Sequence, residues 1–184
     1  MNRGANSGYD EEQAPVNIVA YDSSWPEKFH AEKQLLTYAL GEWIVASIEH
    51  VGSTAVTGLV AKPVIDVMVP VESLKASRPA IDMLVGSGYT YYPYKGDVMH
   101  WFCKPSPAFR THHIHLVPFR SQLWHDRLAF REALRNDPQL ALEYAELKQA
   151  LAKQYEFDRE AYTEAKAPFV ARVLSQHRGG RGAA

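Results

Sequence analysis

The stretch His50-Val51-Gly52-Ser53-Thr54-Ala55-Val56, followed by Lys62-Pro63-Val64-Ile65-Asp66-Val67-Met68, decides how this chain reads. Isoleucine and valine dominate the run Trp43 to His50, which is predicted to be a strand ending in a tight turn at Gly52-Ser53. Pro63 to Val69 is apolar on both faces, as a central strand is. Gly52 lets backbone come close to a bulky anion, and Ser53 adds a hydroxyl donor. Asp66 stands among Val64, Ile65, Val67 and Val69, where a carboxylate is costly unless paired, hydrogen-bonded or holding a metal. A Gly-Ser pair alone is usually only a turn, and an aspartate can simply cap backbone. An aspartate inside an apolar strand just after such a turn points to a site.

Working outward, Val16 to Tyr21 has a short strand pattern. Ser24-Trp25-Pro26-Glu27 reads as a helix start in which Ser24 caps and Glu27 closes a capping box. That helix is expected to run to about Leu40, where Gly41 stops it. Downstream, Leu74 to Val85 is predicted helical, ended by Gly86 and Gly88. Strands are predicted at Tyr89 to Tyr92, Val98 to Cys103 and His112 to Val117. From Gln122 the pattern is helical. Asp137-Pro138 separates two helices, and Leu140, Tyr144, Leu147 and Leu151 form a core-facing stripe. A last helix starts near Asp158, and Pro168 kinks or divides it. The expected fold is α+β, a small mixed sheet with a helical C-terminal third.

The chain has 184 residues, 46% hydrophobic and 22% charged, which suits one domain over 15–175 with loose tails at 1–14 and 176–184. A chain of this size buries roughly 70% of its unfolded surface and needs no staples. Twenty Lys/Arg against 21 Asp/Glu leave a net charge of −1. The basic excess that grips a nucleic-acid backbone or an anionic membrane is absent. The single cysteine, Cys103, excludes an intrachain disulfide framework, fits a reducing compartment and reads as a small core residue. With no run of 18 apolar residues and no signal-like segment, a soluble cytoplasmic protein is expected.

A second candidate site lies in Thr111-His112-His113-Ile114-His115-Leu116-Val117. Strand period two puts His113 and His115 on one face and His112 and Ile114 on the other. Two adjacent imidazoles suit a metal or an anionic phosphate, although edge-strand histidines can merely hydrogen-bond loops. Five of the eight histidines (His100, His112, His113, His115 and His125) fall within 26 residues, and His50 precedes the Gly-Ser turn. A third clue is the helical stripe Arg159, Tyr162, Lys166, Phe169 and Val173. Its two cations invite an anion between helix and sheet, unless they snorkel to water. Arg127 shares a stripe with Leu123, Phe130 and Leu134 and poses the same choice. Tyr89, Tyr91, Tyr92, Tyr94 and Trp101 could stack a base, though strand aromatics are commonly core.

The runs IEHVGSTAVTGLVAKPVIDV, RTHHIHLV, LAFREALRNDP and DREAYTEAKAPFV together closely resemble the GrpB family, over about Val16 to Ser175. That family is placed in the nucleotidyltransferase-fold superfamily. The resemblance implies a mixed sheet flanked by helices, a Gly-Ser turn cradling a nucleotide triphosphate, and strand carboxylates holding a divalent metal. Gly52, Ser53 and Asp66 match that pattern. The superfamily's second carboxylate position is Met68 here, a poor ligand for a hard cation. Its third falls where this chain offers His113 and His115. One aspartate and two histidines favour a single ion, and among Mg²⁺, Mn²⁺ and Zn²⁺ the softer Mn²⁺ or Zn²⁺. Relatives can be fused to dephospho-coenzyme A kinase, which points to nucleotide or cofactor metabolism.

The leading expectation is a metal-assisted nucleotidyltransferase-type enzyme acting on a nucleotide or other phosphorylated small molecule. Asp66, His113 and His115 would hold the metal, with either histidine alternatively a general base, and Lys62 or Lys166 would meet developing negative charge. His50, Gly52, Ser53, Thr54, Arg127, Arg159 and Tyr162 would bind the ligand and its phosphates. One alternative is a non-nucleotidyl metalloenzyme using the His-x-His and Asp66 set for hydrolysis, ligation or redox chemistry. Another is a binding module that kept the cleft and lost catalysis.

Overall fold

The computed structural model describes residues 14–179. The residues 1–13 and 180–184 of the expected tails lie outside the described residues. Five strands, β1 (Glu49–Val51), β2 (Ile65–Val71), β3 (Thr90–Tyr92), β4 (His100–Pro105) and β5 (Arg110–Pro118), form one sheet in the order β1-β2-β5-β4-β3. β2 and β5 run parallel, while the other three pairings are antiparallel. Helix α1 (Trp25–Leu40) precedes the strands in sequence, and α2 (Ala80–Gly86) lies between β2 and β3. The C-terminal third folds into α3 (Gln122–Asn136), α4 (Pro138–Gln154), α5 (Arg159–Ala165) and α6 (Ala167–Gly179). The expected α+β class, a small mixed sheet flanked by helices, is the observed one.

Strand alternation sorts the sheet's side chains into two faces. Ile65, Val67, Val69, Val71, Phe102, Ile114 and Leu116 pack against Trp25, Phe29, Leu36 and Leu40 of α1 and Ala80 and Leu84 of α2. Val67, Val69, Ile114 and Leu116 are fully shielded, and burial of such a side chain contributes about 1.5–3 kcal/mol. On the other face, Val51, Met68, Met99, Trp101, Cys103 and Val117 meet Leu123, Trp124 and Leu128 of α3. Helices α3, α4 and α6 are knitted by Ala133, Leu134, Leu140, Tyr144 and Val173, with Val56 and Leu59 from the β1–β2 connection. Val16, Leu151, Ala152 and Tyr162 form a smaller cluster beside them. The cleft that holds the candidate site lies on this second face, where Asp66, His113 and His115 point.

Four expectations of local structure are corrected. Val16 to Tyr21 forms only an isolated bridge, Val19 with Ala61, because its backbone is shared with a second partner, the Glu156 carbonyl. Of Trp43 to His50, only Glu49 and His50 are strand. Trp43 closes a 3₁₀ turn and Ile44 bridges Val71 instead. Helix α2 begins at Ala80 rather than Leu74. Ser73 accepts from Ala76 N at 3.1 Å, and the Ser77 hydroxyl donates to the Ser73 carbonyl at 2.8 Å, so a turn competes with the helix. Ser24 makes no side-chain cap, since its own backbone is helical and Asp22 Oδ1 accepts from its N–H at 2.8 Å.

Elsewhere sequence and structure largely agree. The Asp137 carboxylate caps α4 by accepting from Leu140 N at 3.0 Å. Pro168 divides α5 from α6, but α6 runs to Gly179, so 176–179 of the expected loose tail is helical instead. No helix among the described residues is long and apolar enough to cross a membrane.

Candidate functional site

Parallel pairing of β2 with β5 sets Asp66 beside His113 and Met68 beside His115. All four side chains therefore share a face. Asp66 Oδ1 accepts hydrogen bonds from His113 Nδ1 at 3.0 Å and His115 Nε2 at 3.4 Å. One donor atom from each of the three lies within 4.8 Å of the others. Tetrahedral coordination with bonds near 2.0–2.1 Å gives ligand separations of roughly 3.3 Å, and Asp66 Oδ1 stands at about that spacing, 3.0 and 3.4 Å, from the two imidazole nitrogens.

Burial acts to raise the Asp66 pKa, but the two imidazole hydrogen bonds outweigh it and hold the carboxyl well below its usual range. Burial pushes His115 down to about 3 and lowers His113 as well. At neutral pH the set is one carboxylate and two neutral imidazoles, the protonation states that metal coordination demands. Met68 is fully buried in the apolar cluster beneath them.

The triad opens into a cavity of about 460 Å³ lined by Ser53, Thr54, Lys62, Arg127, Arg159, Tyr162 and Lys166, all singled out from the sequence. That volume falls in the range of small-molecule sites. Lys95, Arg110 and Lys148 bring the cations on its wall to seven, against the carboxylates of Asp66 and Glu160. The Lys62 and Lys166 ammoniums lie 4.9 and 4.3 Å from the centroid of the same Tyr162 ring. Burial lowers both to about 8, and Lys148 to about 7. Crowded, desolvated cations are unfavourable until an anion joins them. A second cavity of about 420 Å³ shares Lys62, Val64, Arg110, His113 and Arg159 with the first.

Three residues behave differently from the sequence reading. His50 pairs with Val67 in β1, so it points to the α1 face, away from Asp66. There it stacks on Phe29 at 4.7 Å, meets the Thr54 hydroxyl at 2.9 Å and is pushed by burial to a pKa of about 4. It is a packing residue rather than a phosphate ligand. Gly52 makes room for the Asp66 carboxylate instead of lining the cavity. Arg159 faces the cavity, but Nε, Nη1 and Nη2 donate to the carbonyls of Ala14, Pro107 and Ala108 at 3.2, 3.1 and 3.0 Å. It fastens two loops to α5.

Of the aromatic set, Tyr92, Tyr94 and Trp101 line the cavity. Tyr91 packs on Phe102, and the Tyr89 hydroxyl donates to Glu32. Cys103 is buried, with its thiol pKa raised by that burial, as a core residue's should be. Lys148 was legible, since it interrupts the apolar stripe of Leu140, Tyr144 and Leu151 on α4. Arg110 and Lys95 carry no such signal.

Fold and site together define an α+β protein whose sheet presents an Asp–His–His cluster to a cationic cleft. The GrpB protein family profile matches residues 15–176, and the chain belongs to that family. A UPF0157 protein of Pseudomonas aeruginosa is 40% identical over 166 residues, covering 88% of this chain and 67% of that one. The glutamate-rich protein GrpB of Alkalihalophilus pseudofirmus is 34% identical, covering 88% of this chain and 95% of its own. The crystal structure of conserved protein GrpB from Enterococcus faecalis superposes with a TM-score of 0.79 at 32% identity, over 87% of this chain and 96% of that one.

Proposed function

We propose that this protein is a metal-assisted enzyme of the nucleotidyltransferase type, acting on a nucleotide or another phosphorylated small molecule. One observation carries the reading: within a single cavity, the Asp66–His113–His115 donor set meets the Ser53 turn and the ammoniums of Lys62 and Lys166. Asp66, His113 and His115 would hold one divalent ion. Two imidazoles among three donors suit Mn²⁺ or Zn²⁺ better than Mg²⁺. When bound, such an ion supplies Lewis-acid stabilisation to a phosphoryl oxygen.

The chain's own groups do the rest. Ser53 donates to phosphate oxygens, while Lys62 and Lys166 neutralise charge that grows as a phosphoryl bond breaks. Arg159 holds the loop at Pro107 and Ala108 beside the cleft. The test is metal analysis of purified protein followed by thermal melting with Mn²⁺ or Zn²⁺, each with and without nucleoside triphosphates. A metal-dependent rise with one nucleotide supports the reading, and indifference to every nucleotide removes the nucleotidyltransferase assignment.

Met68 favours a second reading. Its burial leaves the second carboxylate position without a ligand, as a single-ion His-x-His site for hydrolysis, ligation or redox chemistry would have it. Copurifying transition metal without nucleotide response selects that alternative.

A further inference from the structure

Among the described residues, Arg127 is a partly buried arginine whose side chain has no oxygen partner. Arg131 donates to Glu49, Glu132 and the His50 carbonyl, and Arg135 to the Ala55 carbonyl. Arg159 satisfies three carbonyls, and Arg110 reaches the Pro107 carbonyl. Arg127, by contrast, enters none of the ion pairs among the described residues, and its hydrogen bond goes to the Met99 sulfur at 3.5 Å. A thioether is a weak acceptor. A lysine in that position could shed its proton, but a guanidinium cannot, so its charge stays in the cavity wall, offset only through space by Asp66 and not by a direct oxygen contact. Arg110, Arg131, Arg135 and Arg159 each have an oxygen partner, which leaves Arg127 poised for something that arrives.

Its neighbours say what. The cavity wall around Arg127 includes Leu123 and Met99 and the aromatic group Tyr92, Tyr94 and Trp101. The Tyr92 and Tyr94 rings meet Trp101 edge-on at 6.1 and 6.5 Å, forming an angular aromatic surface, with the Arg110 guanidinium 5.1 Å from the Trp101 centroid and Lys95 Nζ 5.3 Å from that of Tyr94. His115 also contacts Met99, through Nδ1 at 3.5 Å, so the metal-ligand candidates adjoin this region. The lysine cluster over Tyr162 is assembled separately, from Lys62 and the C-terminal helices. The cleft therefore has two anion-attracting regions of different chemistry. Several flexible ammoniums and a hydroxyl suit a multiply charged phosphate. One rigid fork with no oxygen partner beside an aromatic wall suits a planar carboxylate, which a guanidinium binds bidentately.

We propose that Arg127 and the Tyr92–Tyr94–Trp101 wall form a second ligand subsite, which takes a small carboxylic acid with a flat apolar or aromatic body. The carboxylate lies against the Arg127 fork and the body against the rings. The subsite deepens the reading of the cleft as a two-substrate enzyme site and rests on it, because it supplies a partner for the phosphorylated ligand.

The test uses the full chain, free of metal and nucleotide, with phenylacetate and its neutral isostere phenylacetamide as probes in saturation-transfer NMR titrations. Wild type is expected to bind phenylacetate at least about tenfold more tightly than the amide, which is about 1.4 kcal/mol. Arg127→Met abolishes that preference, and Arg127→Lys, which keeps the charge but loses the fork, removes most of it. Tyr94→Ala weakens both probes equally, whereas Lys166→Met changes neither. Equal affinity of wild type for both probes, no binding of phenylacetate at millimolar concentration, or a preference surviving in Arg127→Met overturns the proposal. Displacement of phenylacetate by inorganic phosphate in wild type but not in Lys166→Met also overturns it, since the lysines would then govern the site. Because metal and nucleotide are left out, failure here leaves the metal–nucleotide reading standing. Absence of any nucleotide response leaves the Arg127 result intact.

Discussion

Gly52 and Asp66 stand so close that a Cβ on residue 52 would lie 2.3 Å from Asp66 Oδ2. Gly52 also has φ +73° and ψ −174°, a conformation that residues with a side chain rarely adopt. The turn and the carboxylate are one unit. The absent side chain lets Asp66 reach His113 and His115.

Gly52→Ala is therefore expected to destabilise the fold by at least about 1–3 kcal/mol from backbone strain alone. It should also push the carboxylate out of register with the two imidazoles. Urea denaturation measures the first effect and Mn²⁺ titration the second. A wild-type midpoint together with wild-type Mn²⁺ affinity contradicts the steric argument.

Asp66→Asn removes the charge while keeping the shape. An aspartate whose folded pKa is depressed adds stability that is fully present above its unfolded pKa, near 3.9, and is lost as pH falls through the folded value. Asp66 is such a group. At neutral pH the variant is expected to be about 1–3 kcal/mol less stable, with the gap closing below about pH 4. Wild type should gain roughly 5–10 °C in melting temperature from a ligand at about 100 times its dissociation constant, taken as about 2.7 kcal/mol. Metal plus the right nucleotide should produce that rise in wild type and none in Asp66→Asn. A variant that keeps the full shift makes Asp66 purely structural.

Lys62 and Lys166 titrate near 8 because burial disfavours their charge. Anion binding should accordingly weaken as pH rises through about 8, when both ammoniums lose their protons. Sulfate is the appropriate probe, since its own charge is constant there. The ligand-free protein should respond oppositely. A lysine with a lowered pKa penalises the fold while protonated, and the penalty fades between its folded value and the ordinary 10.5. Sulfate affinity unchanged between about pH 7 and about 9.5 would mean that these lysines stay clear of the anion.

Glu32 tests the opposite face of the sheet. This residue of α1 is 2% exposed and accepts from the Tyr89 hydroxyl at 2.7 Å and from Lys104 Nζ. His112 Nε2 stands 3.9 Å away. Glu32→Gln strands the Lys104 charge. Breaking one partner of a buried pair costs about 3–5 kcal/mol, and the partial exposure of Lys104 puts the expected loss at the low end. Adding Lys104→Met should restore part of it. Denaturation of both single variants and the double variant reads the coupling, and strictly additive effects would refute a shared network.

Much of this was legible in the chain because the governing geometry is local. Period two in Thr111 to Val117 put His113 and His115 on one face, and the apolar run around Asp66 marked an interior strand. Asp137-Pro138 and Pro168 placed helix breaks through a side-chain cap and a missing donor. Strand ends were harder. Trp43 to Ile48 has strand composition, yet pairing needs a neighbour with free backbone groups, and β2 offers β1 only three residues.

The sequence by itself determined most element types, the interior place of β2, and that His113 and His115 share a face. Those follow from short spacings and apolar runs. Only the tertiary structure decided that Asp66 meets the two imidazoles, through the β2–β5 register, and which charged groups are free. Arg159 and Lys166 sit on one stripe, but the partners that occupy Arg159 lie 145 and 52 positions away, at Ala14 and Pro107. His50 adjoins the Gly-Ser turn in sequence, and the antiparallel register with Val67 turned it to the other face. Side-chain period reports which residues share a face. Which face meets the cleft is fixed by register and by the apolar surface that distant helices bury against the sheet.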